Sequence, residues 1–408
     1  MDNQTPIIID LAGTDIQGEI ARIRERGPVA RVELPGGVFA WSITDASLLE
    51  EVLSGTNVSK NPREHWPAFQ NGEVPEDWEL ANWINTPSMF TAYGEDHRRL
   101  RKAVAPAFTN RRTIQMEPRI RERAEELLTE LEEVPAGHTV DLRERFAFPL
   151  PLRVISELLG VPAELRQPLH ACVVGVFDTS LSKDAAKATH ARMIELLQDL
   201  VAYRRKVPGD DMTSTLLHAV DDPGTAFSET ELIGSLYLTV NAGHETTVTL
   251  LDQAIYLLLT HPEHRAAACS GRLEWERVIE EALRLESPVA HAPLRYAVED
   301  LTLGDISIAK GDPILTCPAG ASRDPKVHGA TADSFDPTRA TVKDHMAFGH
   351  GAHHCPGAPL ARLEARVALP TLFARFPNLE LAPGEDPGSA AGFIANGHRR
   401  LPVRLTGV

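Results

Sequence analysis

The feature that most constrains this chain is a single cysteine in a loop of glycines and histidines, Phe348-Gly349-His350-Gly351-Ala352-His353-His354-Cys355-Pro356-Gly357, followed by a helix predicted to start near Ala358. Glycines let backbone lie close against a flat cofactor. The loop's N–H groups and the positive end of the next helix stabilise negative charge on sulfur, which predicts a lowered thiol pKa. Pro356 gives up only its own donor, and Pro359 suits the first helical turn. On residues alone, a glycine-rich turn around a buried free cysteine explains the stretch equally well, because unpaired cysteine usually behaves as a small hydrophobe. Zinc is disfavoured, since a structural site needs a second ligand pair and Cys172, Cys269 and Cys317 each stand alone.

With 408 residues the chain can bury a core around a large ligand, and 43% apolar with 24% charged residues leaves no segment that composition would call disordered. A net charge of −16 argues against nucleic acid or an anionic membrane as partner, although Arg98, Arg99, Arg101, Lys102, Arg111 and Arg112 concentrate positive charge locally. Ile7 to Ile9 is far too short for a signal or spanning segment, and the scattered cysteines form no disulfide framework. The expected location is cytoplasmic.

Apolar residues recur at three- and four-residue spacing over about 95–108, 113–132, 143–159, 184–206, 228–259, 273–286 and 358–375, which predicts helices. Val29 to Leu34 and Val38 to Ser42 flank Pro35-Gly36-Gly37 and predict a hairpin; Leu294 to Val298, Leu301 to Leu303, Ile306 to Ile308 and Pro313 to Cys317 predict further short strands. The class is mainly α with small β-sheets. Connections at 134–140 and 207–211 are too short to part independent units, so 1–408 is expected to be a single domain. The stretch 54–93 lacks periodicity but carries Trp66, Phe69, Trp78, Trp83 and Phe90, the pattern of a functional loop.

Two helical stretches carry polar pairs. Glu281 and Arg284, three apart, share a helix face, and taken alone would most simply be a solvated pair. Ala242-Gly243-His244-Glu245-Thr246-Thr247 puts glycine inside a long helix, where it costs about 1 kcal/mol against alanine and so asks for a reason, packing being one. A zinc-protease reading of His244-Glu245 fails because Val248 stands where the second histidine is required.

Together these stretches resemble the cytochrome P-450 family along almost the whole chain, most closely its soluble actinobacterial members. Phe348, Gly351, Cys355 and Gly357 fall on the fixed positions of the family's haem signature, and Leu360-Ala361-Arg362-Leu363-Glu364 continues it. The resemblance implies the cytochrome P-450 fold around a buried haem b, with Cys355 as iron ligand. His97, Arg101, Arg295 and His353 would hold the haem carboxylates. Glu281, Arg284 and Arg339 would form a structural network. Ala242, Glu245 and Thr246 would be the oxygen-activating motif, where the helix loosens, Thr246 organises water and Glu245 relays protons. Asn241 departs from the family's usual aliphatic residue. Family register places Leu238, Asn241, Ala242, Val289, Ala290, His291, Ala292, Phe393 and Ile394 around a hydrophobic substrate such as a polyketide, macrolide, terpenoid or steroid.

The implied reaction is insertion of one oxygen atom from dioxygen, with electrons from a ferredoxin and its reductase, since neither Gly-x-Gly-x-x-Gly nor cysteine cluster spacing is present. Redox-neutral cyclisation or isomerisation on the same scaffold, and a haem-based binding or sensor protein, are the alternatives.

Overall fold

The Pro35-Gly36-Gly37 turn closes as predicted, with Gly36 and Gly37 at φ 71° and 76°, where glycine sits without strain. In the computed structural model, which describes residues 5–75, 78, 80–135, 137–177, 183–222 and 224–405, that turn joins two members of a six-stranded sheet. Positions 76, 77 and 79 of the aromatic-rich stretch, and the ends of the predicted 1–408 domain, lie outside the described residues.

The strands are β1 (Ile7–Ile8), β2 (Val29–Leu34), β3 (Val38–Ile43), β4 (Val58–Ser59), β5 (Ala292–Ala297) and β6 (Pro313–Thr316), side by side as β1-β2-β3-β6-β5-β4. β2 and β3 pair antiparallel from Val29 opposite Ile43 to Leu34 opposite Val38, and β3 runs parallel to β6. Pairing of β5 with β6 shifts register between Ala292 and Arg295. A regular strand would point residues three apart to opposite faces. The irregularity lets both Ala292 and Arg295 reach one cavity. Leu301–Leu303 with Ile306–Ile308 forms a small hairpin, and Thr139–Asp141, Glu380–Leu381 and Pro402–Arg404 form a third sheet.

The helices that build the site are α1 (Ile16–Arg26), α2 (Gly94–Val104), α3 (Glu117–Glu132), α4 (Pro149–Leu158), α5 (Glu229–Thr260), α6 (Trp275–Leu285) and α7 (Ala358–Arg375). α5 starts at a capping box, where Ser228 and Glu231 satisfy each other's N–H groups. Its 32 residues span about 48 Å at about 1.5 Å per residue. It is buried on nearly all sides, because α4, α6 and α7 pack around it through one core that includes Ile155, Leu251, Leu283, Leu363 and Val367. Gly243 has its packing reason, since a Cβ there would stand 2.8 Å from Ile155 Cδ1.

Where single helices were predicted, proline divides some of them. The 95–108 prediction ends in a tighter turn at Ala105–Phe108 containing Pro106, and 113–132 splits into Asn110–Gln115 and α3, which has Pro118 in its first turn. The 143–159 prediction splits into a wide turn at Arg143–Ala147 and α4, which opens at Pro149. α5, by contrast, runs without interruption through 242–247, so the loosening expected there is not seen in its backbone.

Candidate active site

A cavity of about 280 Å³ lies where α2, α5, the cysteine loop and β5 converge. Gly351 shapes the loop: it sits at φ 66°, and a Cβ would overlap the Leu53 carbonyl. The Cys355 N–H donates to the Phe348 carbonyl at 2.9 Å, closing the loop on itself, and Phe348, Cys355 and Gly357 line the cavity floor. Burial pushes the Cys355 thiol up, against the pull of the Gly357 and Ala358 N–H groups and of Arg101 and Arg362. That corrects the expected lowering. The helix end is in place, but desolvation of the thiolate outweighs it until a cation binds to the sulfur.

One end of the cavity is walled by basic groups. His97 and Arg101 come one turn apart from α2, Arg295 from β5 and His353 from the loop, so the four residues expected to share a job do meet. The His97 and His353 rings are 4.0 Å apart, and Arg101 donates to the His354 carbonyl at 2.7 Å. Lys60, which the sequence reading missed, joins them with Nζ 3.4 Å from the Phe90 ring centroid. Burial pulls Arg295 down to about 10, burial with Arg101 and Arg295 pulls His97 down to about 4, and burial with Arg295 pulls Lys60 well below its ordinary value. His353 is driven down by the same causes. Among the described wall residues the one carboxyl is Glu364, which burial pushes up to about 8. The buried His97 Nε2 has no protein partner. Such a wall suits an anionic ligand.

The opposite wall comes from α5. Leu238, Ala242 and Thr246 line it at four-residue spacing, and the Thr246 hydroxyl donates to the Ala242 carbonyl at 2.7 Å. Glu245 turns away and meets Arg143 Nη2 at 2.5 Å; burial pushes its carboxyl up while Arg143 opposes. Arg143 was not foreseen, because nothing local announces a partner 102 positions away.

Five residues expected around the substrate do not reach the walls, whereas Val289 and Ala292 do. Asn241, within α5, is buried, and its side-chain amide donates to the Tyr237 carbonyl at 2.8 Å. Ala290 packs with Ile16, Ile20 and Cys317. His291 is fully buried 3.5 Å from Glu19; burial works against its charge, but Cys317 and Glu19 raise it to about 9. Phe393 and Ile394 pack on the sheet core with Ile9, Val32 and Leu294. The physical reason is common to all: an extended or helical segment shows the cavity only some of its side chains, and register alone does not say which.

Beneath the loop, Arg284 makes two 2.8 Å bonds to Glu281 and caps the carbonyls of Ser322, Ala332 and Ser334, while Arg339 reaches Glu281 at 3.1 Å. The Glu281–Arg284–Arg339 network is therefore buried and joined. Next to it Glu280 holds Arg362 at 2.6 and 2.8 Å and His345 at 3.0 Å, tying α7 and the loop's approach to α6.

The chain matches the protein-family model described as cytochrome P-450 over residues 275–394. It is 44% identical over 98% of both chains to the 2-hydroxy-5-methyl-1-naphthoate 7-hydroxylase of Streptomyces carzinostaticus, and 35% identical over 95% of both to the 6-deoxyerythronolide B hydroxylase of Saccharopolyspora erythraea. The solved structure of CYP154A1 from Streptomyces coelicolor superposes with a TM-score of 0.92 at 49% identity, covering 98% of this chain and 100% of that one.

Proposed function

The chain belongs to the cytochrome P-450 family and is a monooxygenase, and from that premise we propose that it uses haem b and ferredoxin-supplied electrons to hydroxylate a polyketide-like small molecule. The observation that carries the reading is the pairing of Cys355 with a basic wall around one cavity. Cys355 would ligate the iron, and His97, Arg101, Arg295 and His353 would hold the two haem carboxylates, with the orphaned His97 Nε2 free to donate to one of them. When bound, haem with a thiolate ligand supplies activation of dioxygen.

The residues of the chain do the rest. Thr246 holds water at the α5 wall, and Glu245 supplies protons after leaving Arg143. Leu238, Val289 and Ala292 offer the substrate apolar surface. The relatives are named for 2-hydroxy-5-methyl-1-naphthoate and 6-deoxyerythronolide B, which supports an apolar, oxygen-bearing substrate for this chain as well. No described helix is long and apolar enough to cross a membrane. A cytoplasmic enzyme formed as one domain over 1–408, taking electrons from a ferredoxin and its reductase, completes the reading.

Two measurements test it. Cys355→Ala should lose the red-shifted Soret band of the reduced carbon monoxide complex; an intact band would assign the ligand elsewhere. Titration of the ferric protein with 2-hydroxy-5-methyl-1-naphthoate and 6-deoxyerythronolide B should displace iron-bound water. Product formed without reductant or oxygen would favour redox-neutral turnover instead.

A further inference from the structure

Along α5, Glu245, Thr249 and Asp252 recur at i, i+4 and i+7, so they share one helix face. Ala242, Thr246 and Leu250 share another, the one that lines the cavity. The first face looks instead onto Arg143 and the C-terminal loop around Asn396 to His398.

Three buried polar atoms there have no protein partner among the described residues: Arg143 Nη1, Thr249 Oγ1 and Asp252 Oδ1. Arg143 commits Nη2 to Glu245 at 2.5 Å. Asp252 commits Oδ2 to the His398 N–H at 2.9 Å and to His398 Nδ1 at 3.0 Å. Thr246 and Thr247 give their hydroxyls to carbonyls four residues back, but Thr249 does not. Thr249 and Asp252 are both fully buried. They are also close together, since a methyl group at Gly397 would stand 3.1 Å from Thr249 Oγ1 and 3.6 Å from Asp252 Oδ2. The charge of Asp252 acts on both Arg143 and Glu245.

Leaving a buried polar atom unmatched costs about 1–3 kcal/mol. One donor, one acceptor and one hydroxyl that can be either are matched together by water, which does both. We propose that these unpartnered atoms behind α5 hold ordered water in a small chamber and conduct protons from His398 to Glu245. The inference rests on the oxygenase reading above. Thr249, Asp252 and His398 act through Glu245 and are positioning residues.

The transfer balances as a proton relay. A proton arriving at His398 Nε2, on a side chain 16% exposed, forms an N–H bond there as the Nδ1–H bond breaks toward Asp252 Oδ2; the Asp252 carboxyl releases a proton from Oδ1 to the water, and one proton leaves the far end of the water chain onto the Glu245 carboxylate. Rotation of that side chain off Arg143 carries the proton toward Thr246. No electron moves, and Arg143 keeps its own proton throughout while orienting the water.

A crystal structure of the ferric holoenzyme is the first test, with ordered water expected on Arg143 Nη1, Thr249 Oγ1 and Asp252 Oδ1. A dry, collapsed chamber overturns the proposal whatever the substrate is. The second test compares Asp252→Asn and His398→Gln with the parent, using 2-hydroxy-5-methyl-1-naphthoate and 6-deoxyerythronolide B as probes. Haem content and spectral binding should hold, while product formation falls at least about tenfold, the peroxide released per reducing equivalent rises and the solvent deuterium isotope effect changes. Asp252→Glu should recover part of the rate. Parent-like peroxide release and isotope effect in both variants overturn the relay. Failure of the parent to oxidise either probe would count against the substrate reading and leave the chamber to be decided by the crystal.

Discussion

Arg284 and Glu281 face each other through two parallel 2.8 Å hydrogen bonds with neither side chain exposed. Taken from sequence alone, an i, i+3 pair is worth a few tenths of a kcal/mol at a surface; out of water the same pair behaves differently, because either partner left alone is an uncompensated charge. Arg284→Leu should therefore cost about 3–5 kcal/mol and lower both the melting temperature and the yield of haem-loaded protein. A normally melting, fully loaded variant would show that Arg339 alone compensates the Glu281 carboxylate.

Lys60 adds a cation to the basic wall and helps hold His353 uncharged. A charge-assisted hydrogen bond is worth about 1.5–3 kcal/mol, so Lys60→Met should speed haem loss to apomyoglobin roughly 10- to 150-fold. An unchanged transfer rate would place Lys60 outside haem retention.

His291 gives a pH signature. Burial opposes its charge, yet Cys317 and Glu19 raise the imidazole from 6.5 to about 9, so the folded state holds its proton more tightly than the unfolded chain does. The sign follows from linkage: this stabilisation is complete below pH 6.5 and is lost as pH rises through about 9. Thermal melts across that range should show the parent losing stability relative to His291→Gln, and parallel curves would refute the charged imidazole.

Much of this architecture is legible in the sequence where the signal is local. α7 runs over Ala358–Arg375, as its periodicity predicts, and the hairpin turns on the two glycines that permit it. Cys355, His353, His97, Arg101 and Arg295 meet as the family resemblance implied, although nothing local in the sequence joins the elements that carry them. What the sequence hid is long-range. Lys60 lies in the stretch without periodicity, and Arg143 reaches Glu245 from a wide turn that periodicity reads as ordinary helix. His291 and Phe393 were assigned to the cavity from register, yet their side chains turn into neighbouring cores, a choice made by packing against α1 and the sheet.

The basic wall also has a bearing on biogenesis. Its members enter the chain at Lys60, His97, Arg101, Arg295 and His353, and the thiol follows at Cys355. Chains fold from the N-terminus as they leave the ribosome, at about 5–20 residues per second. Most of the helices and all six strands of the large sheet are therefore made before the last two groups that would grip the cofactor exist. Until then Arg101 and Arg295 would lack the carboxylates proposed for them, which gives the nascent chain a reason to stay loose there. Loading of the proposed haem would thus be a closing event in synthesis, and a chain truncated before Cys355 should emerge largely helical yet colourless.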